Sequence, residues 1–182
     1  PIDSLKDSLP EYAKDLKLNL SNLASDETLN PQQLWGTFLS TALAGRNETV
    51  IREIYEAASE HLSPEALRAA KAAASIMAMN NVYYKFVGMA ETETYKTMPA
   101  QLRMTIIGNS GVDKADFELW SLAVSAINGC QFCVNAHEQV LVKEGVSTSQ
   151  IQTAVRVAAV IQGISATLNG ENATGAALAQ AA

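Results

Sequence analysis

Apolar residues recur along this chain at helical spacing, and the polar residues between them mark where helices start and stop. Leu5, Leu9, Tyr12, Leu16 and Leu20 follow one another at intervals of four, three, four and four, one stripe of an N-terminal helix that Pro10 bends or interrupts. Asn30 followed by Pro31 is a cap with proline at the first helical position; it opens PQQLWGTFLSTALAG, which closes at Gly45. Asn47 caps ETVIREIYEAASEHL, and Ser63 with Pro64 repeats the cap-and-proline signal for an alanine-rich helix through Met79 and on toward Phe86. Asp113 starts KADFELWSLAVSAIN, which Gly129 breaks. A further helix runs from about Cys130 to Glu144 with Gly145 as its stop, and the last opens near Ser147 and ends before Gly170. Residues 171–182 are Ala, Gly and Asn with few large apolar groups, which predicts a weakly ordered tail.

Strand signals are nearly absent. Met104 to Ile107 is the one short apolar run bounded by turn residues, and it suits a helix end equally well. The pattern predicts an all-α fold in a single domain over residues 1–182. Sliding the chain by 85 residues lays Leu34 and Trp35 on Leu119 and Trp120, Ser40 on Ser125, Lys71 on Arg156, and Ile76 on Ile161. Two similar halves, about 30–90 and 113–170, are therefore expected to pack about a pseudo-twofold axis. The repeat is unequal: Gly45 and Arg46 stand where Cys130 and Gln131 stand, so one half alone carries cysteine chemistry.

Charge narrows the function. Against 19 acidic residues the chain has 13 Lys and Arg, a formal net charge of −6, with no basic cluster to neutralise phosphates. Nucleic acid is excluded as a partner on that ground, and an anionic membrane surface is disfavoured. The apolar stretches are interrupted before 18 residues, and the N-terminal residues lack the basic-then-apolar order of a signal peptide. A soluble, cytoplasmic protein is the expectation.

The two cysteines, Cys130 and Cys133, are the only ones, and their spacing points to chemistry. A stabilising staple gains more by closing a long loop. On one helix Cys130, Cys133 and His137 are i, i+3 and i+7, a single stripe, so the imidazole lies one turn from Cys133 and can take the thiol proton. Gly129 sets the pair at a helix N-terminus, where unpaired N–H groups and the macrodipole favour thiolate. Glu118 lies twelve residues before Cys130 across a helix break and can fold back to orient His137. Three readings suit these residue types: a redox dithiol; a zinc site of Cys130, Cys133, His137 and Glu118 or water; and two thiols buried beside Phe132 and Val134. His61 is expected to be a solvated histidine at a helix C-terminus. Trp35, Phe38, Phe117 and Trp120 are expected in the core, with Met77, Met79 and Met89 packing residues.

The frame FELWSLAVSAINGCQFCVNAHE, with Glu118, Cys130, Cys133 and His137, resembles the alkylhydroperoxidase AhpD family of the carboxymuconolactone decarboxylase-like superfamily. LPEYAKDLKLNL, QLWGTFLSTALAGRN and IMAMNNVYYKF extend the resemblance over Leu5 to about Leu168. The resemblance implies an all-helical homotrimer with peroxidase and disulfide-reductase activity and no bound cofactor or metal. It implies that Cys133 attacks the hydroperoxide, Cys130 resolves the sulfenic acid to a disulfide, and His137 and Glu118 relay protons. It further implies electrons from the lipoyl group of a 2-oxo acid dehydrogenase E2 subunit, with dihydrolipoamide dehydrogenase and NADH behind it, and a link to the peroxiredoxin AhpC. A reductase or adaptor acting on another protein's disulfide is the alternative. Decarboxylation, as in the superfamily's namesake, needs no CxxC. Some members carry a histidine between the cysteines where this chain has Phe132, which relays no proton.

Overall fold

The computed structural model describes the backbone of residues 1–181 and side-chain surroundings for residues 1–175. Among the described residues there is no strand. The elements are α1 (Ile2–Asp7), α2 (Lys14–Ala24), α3 (Pro31–Gly45), α4 (Glu48–Ser59), α5 (Pro64–Met89), α6 (Thr94–Thr97), α7 (Lys114–Asn128), α8 (Gln131–Lys143) and α9 (Thr148–Ala181), with short 3-10 turns at Glu11–Ala13 and Thr105–Gly108.

The expected caps form. Asn30 accepts from the Gln33 N–H while the Gln33 side chain accepts from the Asn30 N–H. Asn47 and Ser63 accept from Val50 and Ala66, and Ser147 caps α9 by accepting from the Gln150 N–H. These side chains fill donors that a helix end leaves open. The Met104 to Ile107 run, open between strand and helix end, falls in the 3-10 turn Thr105–Gly108 with Met104 at its N-cap. Three expectations need correcting. Pro10 interrupts the N-terminal stripe as expected, but the exposed Tyr12 leaves that stripe to Ala13, its hydroxyl donating to Glu171 instead. Met89, taken for a packing residue, is exposed. The last helix passes Gly170 and reaches Ala181, so the backbone of the tail expected to be weakly ordered is helical to that point, and the side chains beyond residue 175 lie outside the described residues.

Two helices are enclosed by the others. α3 is buried continuously from Leu34 to Ala42 and α7 from Asp116 to Ser125, the all-round burial of a central helix. They pack on each other, α5 and α9 each cover both, and α8 lies on α7 and α5. Threonine hydroxyls inside this core bond to their own helix, as Thr41 does to the carbonyl of Thr37 at 2.7 Å, whereas the buried Ser121 and Ser165 hydroxyls have no hydrogen-bond partner. α9 also corrects an expectation. Thr148–Gly175 is long and apolar enough to cross a membrane, but the core accounts for its apolar face, since Ala154, Val157, Ile161 and Ile164 are buried against α2, α3 and α7.

The α3–α7 approach depends on Gly36. A β-carbon there would overlap the indole of Trp120, whose Nε1 donates to the Gln33 carbonyl at 3.2 Å. Gly45 serves α9 in the same way, because a β-carbon would lie 2.5 Å from Ser165 Oγ; the left-handed residue that ends α3 is Arg46. Gly36→Ala is expected to cost about 1–3 kcal/mol by overpacking. In a chain of this size each kcal/mol lowers Tm by about 2–4 °C. Gly170→Ala, where a β-carbon meets nothing within 4 Å, should instead stabilise α9 by about 0.5–1 kcal/mol. Calorimetry on the two variants checks both signs.

Candidate active site

Helix α7 carries Glu118 through the core, and α8 returns across it carrying Cys133 and His137. The turn between them is tight. Gly129 adopts the left-handed conformation with φ 70°, and the Cys130 N–H donates to the Ser125 carbonyl at 3.1 Å. Cys130 is extended rather than helical. It is the N-cap of α8, and its Sγ accepts from the Cys133 N–H at 3.2 Å. The three residues expected on one helical stripe are thus a cap followed by two helical positions, and the N–H of the first turn meets the sulfur of Cys130, not that of Cys133.

The two cysteines form a disulfide with Cα atoms 5.3 Å apart, within the usual reach of such a bond. Their environments differ. Cys130 is fully enclosed, whereas Cys133 lines a cavity of about 220 Å³ with Met77, Asn80, Tyr84, Ile107, Phe132, Ala136 and His137. His137 Nδ1 lies 2.6 Å from Glu118 Oε2, and both side chains are buried. A carboxylate only accepts, so Nδ1 holds the hydrogen and Nε2 is left for the cavity, where it lies 3.3 Å from Met77 Sδ. Each buried ionisable group has the other as its partner, the condition under which such burial is tolerated.

A polar clamp fixes the helix junction from the α5 side. Asn81 donates to Ser125 Oγ at 2.9 Å, Asn128 donates to Asn81 Oδ1 at 2.9 Å, and Lys85 donates to the Asn128 carbonyl at 3.1 Å. Phe132 is half exposed and stacks on Tyr84, the ring centroids 5.1 Å apart, at the cavity's edge. All four residues singled out from the sequence are therefore brought together. Met77, Asn80 and Tyr84 were missed as cavity residues. Their signal was the i, i+3, i+7 spacing on α5 and an asparagine inside an alanine-rich helix. His61 lies past the end of α4 and stacks on Trp35 at 4.6 Å.

The helix caps pair at a different offset from the one read in the sequence. Counted from the caps, Asn47 stands where Cys130 stands, each accepting from the N–H three residues on. Val50 then matches Cys133, Ile54 matches His137, and Trp35, five residues after the cap Asn30, matches Glu118, five after Asp113. At these last three positions α3 and α4 carry indole or carbon where α7 and α8 carry Glu118, Cys133 and His137, while Asn47 presents an amide where α8 begins with the Cys130 sulfur.

Known proteins share this frame. Residues 93–176 match the model of the carboxymuconolactone decarboxylase family. The alkyl hydroperoxide reductase AhpD of Gluconacetobacter diazotrophicus is 60% identical over 174 residues, 96% of both chains. The proteins of that name from Rhodopseudomonas palustris strain BisB18 and Brucella anthropi are 58% identical over 92% of this chain and 92% of theirs, and 56% identical over 92% of this chain and 95% of theirs. Identity at that level over more than nine-tenths of each chain means that this chain belongs to the AhpD family of alkyl hydroperoxide reductases.

Proposed function

We propose that the chain is an antioxidant thiol peroxidase that reduces hydroperoxides to alcohols or water and is itself reduced by a dihydrolipoyl dithiol. The observation that carries the reading is the asymmetry of the disulfide: Cys133 opens on a cavity shared with His137, while Cys130 is enclosed at the helix cap. In the reduced protein, His137 Nε2 takes the Cys133 proton while Glu118 holds Nδ1. The thiolate attacks the distal oxygen, the O–O bond breaks, and the alkoxide leaves as alcohol with the proton returned by His137. Cys133 is then a sulfenic acid. Cys130 attacks that sulfur, water leaves, and the disulfide forms.

Reduction runs through the same opening. A dithiol attacks Cys133 Sγ, Cys130 leaves as a thiolate beside the Cys133 N–H, and the second thiol of the reductant displaces Cys133. Lipoamide held on an E2 subunit would supply that dithiol, recharged by dihydrolipoamide dehydrogenase from NADH. The exposed Met89 lines a cleft with Tyr84 and Phe132 at the cavity's edge, and Val82, Phe86 and Met98 are exposed as well; these apolar side chains favour a protein-borne partner and the homotrimer. The same surface favours the second reading, a reductase for the peroxiredoxin AhpC with peroxide turnover incidental. Cytoplasmic residence fits a dithiol that cycles through a reducing pool.

Peroxide-dependent NADH oxidation with lipoamide and dihydrolipoamide dehydrogenase tests the roles. Cys133→Ser should abolish turnover, and Cys130→Ser should allow a single turnover that leaves a sulfenic acid visible by mass spectrometry. Cys133→Ser activity, or unchanged multiple turnover in Cys130→Ser, would overturn the assignment.

His137→Phe should lower kcat/KM for peroxide by about 10²–10⁴. Glu118→Gln, which keeps an acceptor for Nδ1 and loses the charge, should lose less, roughly ten- to a hundredfold. Equal losses in the two variants would argue against a supporting role for Glu118. A wild type that ignores peroxide and reduces oxidised peroxiredoxin would move the assignment to the second reading.

A further inference from the structure

Asn80 is 4% exposed, and its Oδ1 has no hydrogen-bond partner. Its amide nitrogen has only Met104 Sδ, at 3.7 Å. Leaving a buried amide oxygen unpaired is costly, and such groups in folded proteins are few. Asn80 is one of the residues lining the cavity that holds Cys133 and His137, and its main-chain carbonyl lies 4.0 Å from Cys133 Sγ. Of the other lining residues, Met77, Ile107, Phe132 and Ala136 have no donor, and neither the Tyr84 hydroxyl nor the His137 ring bonds to it. Asn81, the next residue, is fully engaged in the clamp on α7, so the two adjacent asparagines have separate tasks.

An unpaired acceptor in a mostly apolar pocket fits a ligand with one donor and an apolar body. An organic hydroperoxide is that ligand: a single O–H on the oxygen to be attacked, and a hydrocarbon group for Ile107 and the Tyr84–Phe132 stack. We propose that Asn80 Oδ1 accepts the hydrogen bond of the hydroperoxide O–H and sets its distal oxygen against Cys133 Sγ. The inference rests on the peroxidase reading and identifies the group that selects the substrate. The step balances. The S–O bond forms as the O–O bond breaks, the distal oxygen keeps the hydrogen that Asn80 holds and becomes the sulfenic hydroxyl, and the alkoxide takes its proton from His137. Cys133 is oxidised by two electrons and the peroxide is reduced by two.

The test compares two electrophiles on the reduced protein by stopped flow: cumene hydroperoxide, which carries an O–H, and 4,4′-dithiodipyridine, which has no donor. Asn80→Leu should slow the hydroperoxide reaction about ten- to a hundredfold, the loss of one hydrogen bond at the reacting atoms, and leave the dithiodipyridine rate within about twofold. Asn80→Ser, which retains a shorter acceptor, should fall between Asn80→Leu and wild type, and it carries the comparison if Asn80→Leu does not fold. Parallel loss of both rates would mean that Asn80 only shapes the cavity, and an unchanged hydroperoxide rate would mean that it does not meet the substrate; either overturns the proposal. Wild-type protein that reacts with dithiodipyridine and not with hydroperoxide would instead sink the peroxidase reading, and this inference with it.

Discussion

A carboxylate placed on a helix that other helices surround has to find its partner inside the protein. Glu118 is in that position on α7, with solvent excluded on every side of the helix from Asp116 to Ser125. Removing one member of such a buried pair costs about 3–5 kcal/mol, because the charge left behind has neither water nor a counter-charge. The 2.6 Å contact with His137 meets that requirement and fixes where α8 must lie. Once the His137 ring is pinned through Nδ1, Cys133 one turn earlier is pinned too, and so is the cavity wall. The position of the Cys133 sulfur follows from the need to satisfy one buried carboxylate.

Packing prepares that position from the other side. With no side chain at Gly36, α3 comes close enough for the Trp120 indole to lie across it and bond to the Gln33 carbonyl. Trp120 is two residues from Glu118, so the contact that sets the rotation of α7 also directs the carboxylate toward α8. At the far end of α7, the Asn81–Ser125–Asn128 clamp holds the helix terminus against α5. α7 is thus fixed in rotation near its start and in position near its end, and the Gly129 turn launches α8 from a defined point.

Much of this was legible in the sequence because the signals are local. Caps at Asn30, Asn47, Ser63 and Ser147 are single side chains bonding to N–H groups three residues away, and they form where expected. The candidate site was legible because i, i+3 and i+7 spacing survives even though Cys130 turns out to be a cap. What stayed hidden depends on distant partners. Tyr12 fits the N-terminal stripe by spacing, yet the break at Pro10 rotates the following turn and buries Ala13 in its place. Gly170 reads as a stop, but a glycine inside a helix costs only about 1 kcal/mol, and α9 continues through it. Met77 reads as a packing residue because α8, which faces it across a cavity, lies more than fifty residues further along the chain.

The cap-by-cap equivalence of Cys130 with Asn47 explains how the fold holds a disulfide without being built around it. Position Asn47 needs a side chain that accepts from an N–H three residues on, and an amide oxygen does this in the first half. In the second half a sulfur does it, at 3.2 Å. Cys130 therefore meets a structural requirement of the helix start whether or not it is bonded to Cys133, and as a thiolate it meets the requirement better, since charge strengthens a hydrogen bond from N–H. Cys133 has no such duty, because its position is occupied by Val50 in the other half. One sulfur belongs to the scaffold and the other to the cavity, so the turn that carries them is held by its own cap and not by the bond between them.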